Sequence, residues 1–329
     1  MSAAKMPSFI YNVSMLIRSV VFSALLLVAA AAGAREFVLD PDSDIIGEVE
    51  VIRAAYEDTL FKLARRYDVG IEDLRRANPG VDDWLVGEGT EIVIPSRYVL
   101  PAGPRRGVVI NVPEHRLYYF PEEDGSRVIT HPIGVGREGW NTPYGTTSVV
   151  RKAHLPTWYP PESVRAEHAA AGDPLPAVVP PGPDNPLGEH AIYLGFAGYL
   201  VHGTNKPSGV GMRVSHGCIR MFPEDIAALY ETVDPGTEVR IVNQPYKLGW
   251  GDAGLYMEAH LPLVEETAEW TSTELTRLYV AATQERRVGM RWRDAEAVMA
   301  EASGLPEFVS IEGTITVADL GDDLAVGAQ

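Results

Sequence analysis

The residues best suited to chemistry lie in one stretch, 201–220, with the sequence VHGTNKPSGVGMRVSHGCIR. This stretch holds Cys218, which is the only cysteine of the chain, together with His202 and His216. A cysteine is a strong nucleophile as a thiolate, and a neighbouring imidazole promotes loss of the thiol proton. These residue types favour acyl transfer with Cys218 as the nucleophile.

Two histidines compete for the role of general base. His216 lies two residues before Cys218, and residues two apart in an extended segment share a face. His202 lies 16 residues before Cys218, and the glycine-containing loop between them would bring its strand alongside. Gly217 is expected to leave backbone N–H groups open to a substrate carbonyl, as an oxyanion hole requires. The spacing alone does not choose between the two histidines.

Two other interpretations of Cys218 compete with catalysis. The first is a zinc site with His202 and His216, although the segment offers neither a fourth ligand nor a CxxC pair. The second is a small buried side chain, since free cysteines are among the most buried residues. Catalysis is the preferred interpretation, and it requires no metal and no cofactor.

The first 34 residues have the composition of a secretory signal peptide. Residues 1–34 contain Lys5 and Arg18 but no acidic residue, and an apolar run ends at small residues before Ala34. We expect cleavage after Ala34, export, and no membrane span in the mature chain. A transmembrane anchor is the alternative, because the run is near the lower length limit for a bilayer span.

Length and charge narrow the class of protein. A chain of 329 residues is long enough for about two domains. Its net charge of −17 argues against a nucleic-acid partner, because phosphate binding needs clustered lysine and arginine.

Residues 49–95 predict a compact β-α-α-β unit, preceded by an extended linker over 35–48. Alternating residues from Val49 indicate a strand, and apolar residues at helical spacing follow Thr59. A second helix ends at Asn78, which Pro79-Gly80 follow as strong stop signals.

This unit resembles a LysM module, a domain that binds N-acetylglucosamine-containing glycans such as peptidoglycan. A small α/β spacer domain is the alternative. The matching residues are Tyr56, Asp58-Thr59-Leu60, Ala64, Tyr67-Asp68-Val69, Leu74, Asn78 and Ile92-Val93-Ile94-Pro95.

Residues 105–243 predict a mainly β domain. Runs of β-branched and aromatic residues at 107–112 and 116–120 indicate a hairpin, and further strand-like runs follow. The nine prolines of residues 156–186 exclude sheet there, because proline cannot donate to a ladder. This segment is either a lid over the substrate or a loop packed on the sheet. The remaining residues, 244–329, predict a partly helical C-terminal extension.

The stretch around Cys218 resembles the signature of the YkuD-type L,D-transpeptidases, and the resemblance covers about residues 105–243. Supporting motifs are Gly134-Val135-Gly136, Thr142-Pro143, Asn185-Pro186-Leu187-Gly188 and the helix start at Pro223. Together with the LysM-like module and Tyr246-Lys247-Leu248-Gly249-Trp250, they look like the ErfK/YbiS/YcfS/YnhG branch of Gram-negative bacteria. The resemblance implies a YkuD-like β-sandwich with a short helix.

The family's residue roles carry over to matching positions. The resemblance implies that Cys218 is acylated and that His202 is the general base, with one ring nitrogen oriented by the Gly203 carbonyl. It also implies that Arg220 holds a substrate carboxylate or pairs with an acidic neighbour. The residues expected in the oxyanion and substrate region are Gly203, Ser215, His216, Gly217 and Arg220.

The implied reaction is peptidoglycan transpeptidation in the periplasm. Cys218 attacks the diaminopimelate carbonyl of a tetrapeptide stem, D-Ala leaves, and an amine resolves the thioester; a carbapenem would also acylate the thiol. The expected partners are stem peptides, glycan strands, and an outer-membrane protein or lipoprotein as one acceptor. The alternatives are an L,D-carboxypeptidase with water as acceptor, and a catalytically inactive peptidoglycan-binding protein.

Overall fold

A computed structural model describes residues 35–121 and 126–311. The expected signal peptide, and the end of the C-terminal extension beyond 311, lie outside these residues. No helix in the described ranges is long and apolar enough to cross a membrane.

The described residues form strands and helices throughout. The strands are β1 (Arg35–Val38), β2 (Ile45–Gly47), β3 (Glu50–Arg53), β4 (Glu91–Ile94), β5 (Arg97–Val99), β6 (Gly107–Asn111), β7 (Arg116–Phe120), β8 (Arg127–Pro132), β9 (Val135–Gly136), β10 (Gly145–His154), β11 (His190–Leu194), β12 (Leu200–His202), β13 (Arg213–Ser215), β14 (Ile219–Arg220), β15 (Glu238–Val242), β16 (Tyr246–Gly251), β17 (Gly254–Ala259) and β18 (Glu307–Phe308). The α-helices are α1 (Leu60–Arg66), α2 (Ile71–Ala77), α3 (Glu162–Ala170), α4 (Pro223–Thr232), α5 (Ser272–Ala282) and α6 (Trp292–Glu301).

One sheet has nine strands in the order β1-β8-β7-β6-β15-β10-β11-β12-β14. Strand β10 joins its two halves, because residues 145–148 pair with β15 and residues 149–154 pair with β11. The register shifts between Val149 and Arg151, and such a bulge bends a strand. The sheet therefore curls around one core, which confirms the mainly β fold expected for this part of the chain.

The predicted hairpin and the main core are both present. Strands β6 and β7 pair antiparallel from Gly107 opposite Phe120 to Asn111 opposite Arg116. Apolar residues of both halves of the sheet meet in one buried cluster, as a sandwich requires. Helix α4 closes this cluster with Ile226 and Leu229.

The β-α-α-β unit is also confirmed, as β3, α1, α2 and β4. Thr59 caps α1, with its side chain accepting a hydrogen bond from the Lys62 N–H. The Asn78 side chain donates to the carbonyls of Leu74 and Val93, at 2.8 and 2.7 Å, and accepts from the Val93 N–H. Asn78 thus ends α2 and ties it to β4, which explains the stop signal seen there.

The segment 35–48, expected as an extended linker, pairs with neighbouring strands through much of its length. Residues 35–38 form β1, which pairs with β8 at the edge of the large sheet, and β2 pairs with β5. The segment is extended, as its composition indicated. Because an extended chain has free backbone N–H and C=O groups, it pairs readily with an open sheet edge.

The proline-rich stretch 156–186 contains helix α3 rather than a continuous loop. Its ends are held by Asn185, a fully buried side chain that donates to the Pro156 carbonyl at 2.8 Å. Trp158 and Cys218 both pack against a small apolar cluster that contains Leu187. Tyr159 is exposed, so packing accounts for Trp158 but not for Tyr159.

The C-terminal extension is partly helical, as expected, but it also contains a sheet in the order β16-β17-β18. Helices α5 and α6 pack on this sheet through a separate apolar cluster that includes Leu275 and Val298. Thr271 caps α5 by accepting from the Thr273 N–H.

A buried ionic network joins this extension to the rest of the chain. Lys247 lies 2.8 Å from Glu114 of the β6–β7 turn and 2.9 Å from Glu258 of β17. His260 lies 2.6 Å from Glu258 and 3.5 Å from Asp73 of the LysM-like unit. All five side chains are buried, so the extension is an integral part of the fold.

Candidate active site

The pairing of β12 with β14 brings the predicted nucleophile and base together. The two strands run parallel, with Val201 opposite Ile219 and His202 opposite Arg220. Val201 and Ile219 point into the main core, so their neighbours in the chain point to the outer face. His202, Cys218 and Arg220 therefore share that face.

His202 is buried and held in a single tautomer. Its Nδ1 lies 2.6 Å from the Gly203 carbonyl oxygen, the contact expected from the sequence. A carbonyl only accepts, so Nδ1 carries the proton and Nε2 keeps its lone pair in the neutral ring. Burial lowers the pKa of His202 to about 3, with the charge of Arg220 acting in the same direction. The ring is thus neutral and able to accept a proton.

Cys218 is partly buried and directly precedes β14. Burial raises the pKa of its thiol above the usual value, while the Leu200 N–H and Arg220 partly oppose this rise. The thiol Sγ lies 3.7 Å from the Gly198 carbonyl oxygen. The resting residue is therefore a thiol, which needs a base when it attacks.

Ser215 and Gly217 shape the turn before Cys218. The Ser215 hydroxyl donates to the Cys218 carbonyl at 2.5 Å and accepts from the Gly217 N–H at 3.1 Å. Gly217 has φ +101°, and a Cβ there would lie 2.8 Å from a ring carbon of Tyr199. Only glycine fits this position, because the conformation is left-handed and the Tyr199 ring covers it.

This arrangement corrects the expected oxyanion hole. The Gly217 N–H is engaged by Ser215, and the Gly203 N–H donates to the His190 carbonyl at 3.1 Å. Neither N–H is available to a substrate, since each already has an intramolecular partner. In the described part of the chain, the backbone N–H of Cys218 has no hydrogen-bond partner. Gly203, Ser215 and Gly217 position the reacting residues instead.

Thr142 anchors the same turn from the far side. Its buried hydroxyl donates to the Gly217 carbonyl at 2.9 Å and accepts from the Gly136 N–H at 3.1 Å. Gly136 leaves no room for a side chain, because a Cβ would lie 2.0 Å from the Trp140 carbonyl oxygen. The glycine and threonine motifs noted in the sequence thus hold the turn that carries Cys218.

His216 contacts residues that the sequence did not single out. Its Nε2 lies 3.1 Å from a carboxylate oxygen of Glu167 and 3.0 Å from Nη2 of Arg137, and the edge of its ring contacts Trp140. Burial lowers the pKa of His216, and Glu167 opposes this effect. No motif signals Glu167, which lies 49 residues from His216 in the chain.

Arg220 was expected to bind a carboxylate or to pair with an acidic neighbour. Its side chain makes no ion pair with an acidic residue among those that the structure describes, and its Nε has no hydrogen-bond partner. Burial lowers the pKa of this guanidinium, and the neighbouring Cys218 opposes that shift.

The zinc alternative is not supported by the geometry. Among residues 35–121 and 126–311, two buried groups bring together the possible ligand atoms of three His, Cys, Asp or Glu side chains. These groups are Asp68, His131 and Asp225, and Glu114, Glu258 and His260. Neither contains Cys218, and Nδ1 of His202 is already bound to a carbonyl.

Comparisons with known proteins identify two domains. The family model of the YkuD L,D-transpeptidase catalytic domain matches residues 105–241. The model of the LysM domain matches residues 55–95.

Relatives align over most of the chain. Probable L,D-transpeptidase YbiS of Escherichia coli K12 is 41% identical over 286 residues, which cover 84% of this chain and 92% of that protein. Probable L,D-transpeptidase YcfS of the same organism is 43% identical and covers 74% of this chain and 78% of its own. Probable L,D-transpeptidase ErfK/SrfK is 38% identical, covering 87% and 94%. The chain belongs to the L,D-transpeptidase family, with a YkuD catalytic domain and a LysM domain.

Proposed function

We propose that the chain is a periplasmic peptidoglycan L,D-transpeptidase whose nucleophile is Cys218. The observation that carries this proposal is the β12–β14 pairing, which places Cys218 and a neutral, oriented His202 on one face. A neutral imidazole whose second nitrogen is fixed by a carbonyl is the group that general-base activation of a thiol needs.

The reaction has two steps, and His202 carries the proton through both. Cys218 Sγ attacks the diaminopimelate carbonyl of a tetrapeptide stem while its proton passes to Nε2 of His202. The proton then goes to the departing amine, the peptide bond breaks, and D-Ala leaves a thioester behind. An acceptor amine attacks the thioester carbonyl and gives its proton to His202. The new amide bond forms as the C–S bond breaks, and His202 returns the proton to Sγ. The thioester keeps the energy of the cleaved bond, so no nucleotide is needed.

The negative oxygen of each intermediate needs donors. The backbone N–H of Cys218 is our candidate, because it lacks an intramolecular partner among the described residues. Donors preorganised at such a position contribute strongly to catalysis. Arg220 supplies a positive charge beside Cys218, which favours its thiolate. We assign His216 to the substrate side of the site.

The LysM domain supports action on the cell wall. Its core is formed by α1, α2 and β4, and its Asp73 joins the buried network with His260. The domain is therefore fixed to the catalytic region rather than tethered loosely. We propose that it binds glycan strands while the catalytic domain handles stem peptides. The composition of residues 1–34 supports export to the periplasm.

The acceptor amine decides the product. Diaminopimelate of a second stem gives a 3→3 crosslink, whereas a lysine of an outer-membrane protein or lipoprotein gives a wall-anchored protein. Water in place of an amine makes the enzyme an L,D-carboxypeptidase.

Mass spectrometry of products from purified sacculi tests the function and separates these outcomes. The full chain is incubated with sacculi, with and without candidate acceptor proteins, and the muropeptides are then analysed. We expect loss of D-Ala from tetrapeptides together with either crosslinked dimers or peptide-modified acceptor. Tetrapeptides that stay intact under all conditions would contradict the proposal, and tripeptides alone would identify a carboxypeptidase.

A further inference from the structure

A second polar cluster includes His216, which lies two residues before Cys218 in the chain. Glu167 of α3 contacts the Arg137 guanidinium with one carboxylate oxygen and lies 3.1 Å from Nε2 of His216 with the other. Arg137 Nη2 itself lies 3.0 Å from the same Nε2. One carboxylate therefore bridges a guanidinium and an imidazole.

Arg137 and His216 are held in place without Glu167. Trp140 contacts the His216 ring edge-on at 4.7 Å and lies under the Arg137 guanidinium at 6.0 Å. The backbone of Arg137 donates to the Ser215 carbonyl at 3.1 Å, so both groups are fixed to the turn that carries Cys218. A guanidinium with an imidazole nitrogen beside it is a geometry that recognises carboxylates.

Glu167, in contrast, comes from a peripheral element. Helix α3 has nine residues, and Val164 is its buried residue. It belongs to the stretch 156–186, and Asn185 holds the end of that stretch independently of α3. Glu167 can therefore withdraw without breaking a strand pairing of the catalytic sheet.

The cluster is open to solutes. The side chains of Arg137 and Glu167 are 37% and 39% exposed, and that of His216 is 23% exposed. The Arg137 hydrogen bond, followed by that from His216, holds the pKa of Glu167 below its usual value, so its carboxylate is ionised at neutral pH. A second carboxylate cannot share the same donors, because like charges at this separation repel.

We propose that Arg137 and His216 form the binding site for a free carboxylate of the acyl-donor stem peptide, and that Glu167 is an internal occupant which the donor displaces. This inference rests on the proposed function for the identity of the donor. It gives α3 a role as a gate that opens when a donor carboxylate takes the place of Glu167.

Binding to an inactive protein tests this inference without depending on turnover. The Cys218→Ala full chain is titrated calorimetrically with a tetrapeptide stem, and with stems in which each free carboxylate is amidated in turn. We expect amidation of one carboxylate to weaken binding about 10-fold or more, as for loss of a charge-assisted hydrogen bond. The position that responds identifies which carboxylate is bound.

Two substitutions in that background then assign the site. Arg137→Gln should weaken binding of the free-acid stem by about 10-fold and leave the critical amidated stem unaffected. Glu167→Gln should strengthen binding of the free-acid stem, because the competitor loses its charge, and should not affect the amidated stem. The matched controls are Arg293→Gln, at an exposed position of α6, and Glu162→Gln at the exposed start of α3.

Several results would overturn the inference. These are equal weakening of free-acid and amidated stems by Arg137→Gln, weaker binding with Glu167→Gln, or no binding of any stem. The inference would also fall if Arg220→Gln, rather than Arg137→Gln, abolished the preference for the free-acid stem over the amidated stem. D-Ala release by the wild-type chain is measured in parallel. Absence of D-Ala release would contradict the proposed function, whereas the binding data test the carboxylate site separately.

Discussion

Nδ1 of His202 lies 2.6 Å from the Gly203 carbonyl oxygen, and this contact determines which nitrogen of the ring can accept a proton. Because the carbonyl holds the proton on Nδ1, the lone pair is on Nε2 of a neutral ring. The sequence left His202 and His216 as competing bases, with only family resemblance favouring His202. The contacts of His216 with Glu167 and Arg137 give that histidine a different environment.

The first prediction concerns the pH dependence of the proposed base. Burial lowers the pKa of His202 to about 3, and the base must be neutral to act. The kcat/KM for D-Ala release should therefore stay constant as the pH falls from 7 to 5, since this parameter reports the free enzyme. His202→Gln should lower it by about 10²- to 10⁴-fold. A half-loss of wild-type kcat/KM near pH 6.5, with the protein still folded by circular dichroism, would contradict this assignment.

The second prediction concerns the turn before Cys218. Ser215→Ala removes the acceptor of the Gly217 N–H and the donor to the Cys218 carbonyl. Leaving such groups unsatisfied costs about 1–3 kcal/mol, so kcat should fall by about 10- to 100-fold with little change in KM. Ser208→Ala is the matched control, because Ser208 is exposed. Full activity of Ser215→Ala would show that this turn does not position the thiol.

Much of this arrangement was predictable from the sequence, because strand and helix patterns are local. The hairpin of β6 and β7, the β-α-α-β unit and the α4 start follow from periodicity and turn residues. The engagement of the Gly217 N–H by Ser215 was not predictable, because it depends on the exact path of a left-handed turn. Glu167 was also missed, since only the tertiary fold brings α3 to His216.

The third prediction concerns the C-terminal extension, whose role the sequence left open. Lys247 is buried between Glu114 and Glu258, and removing one partner of a buried ion pair leaves an uncompensated charge. Lys247→Met should lower the free energy of unfolding by about 3–5 kcal/mol, measured by urea denaturation. Lys206→Met, at an exposed position, is the control. A decrease in the free energy of unfolding below about 1 kcal/mol for Lys247→Met would contradict this prediction, because a decrease of that size is typical of a surface ion pair.

The fourth prediction concerns two buried carboxyls where the LysM domain meets α4. Burial raises the pKa values of Asp68 and Asp225 to about 7, with mutual repulsion adding to that of Asp68. Both folded-state pKa values exceed the ordinary 3.8. The stability that the protonated carboxyls contribute is therefore present below pH 4 and is lost as the pH rises through 7. Asp68→Asn removes one of the two groups, so the variant should gain stability relative to wild type between pH 5 and pH 8.

Thermal unfolding of both proteins at several pH values measures this difference. His131 lies 3.5 Å from Asp225, and burial lowers its pKa to about 4, so it destabilises the folded state as the pH falls below 6.5. Comparing the variant with wild type at each pH cancels much of the effect of His131, because both proteins contain this histidine. Asp184→Asn, on an exposed loop, should show no such trend. A stability difference that is independent of pH would contradict a folded-state pKa of about 7 for Asp68.

The central claim is that Cys218 carries the acyl group. Its most direct test is D-Ala release from tetrapeptide muropeptides by the Cys218→Ala protein, measured beside pulldown of the same protein on sacculi. The account predicts that D-Ala release falls to background while sacculus binding is unchanged, because the LysM core and the rest of the site do not depend on the thiol. D-Ala release by Cys218→Ala at the wild-type rate would contradict it.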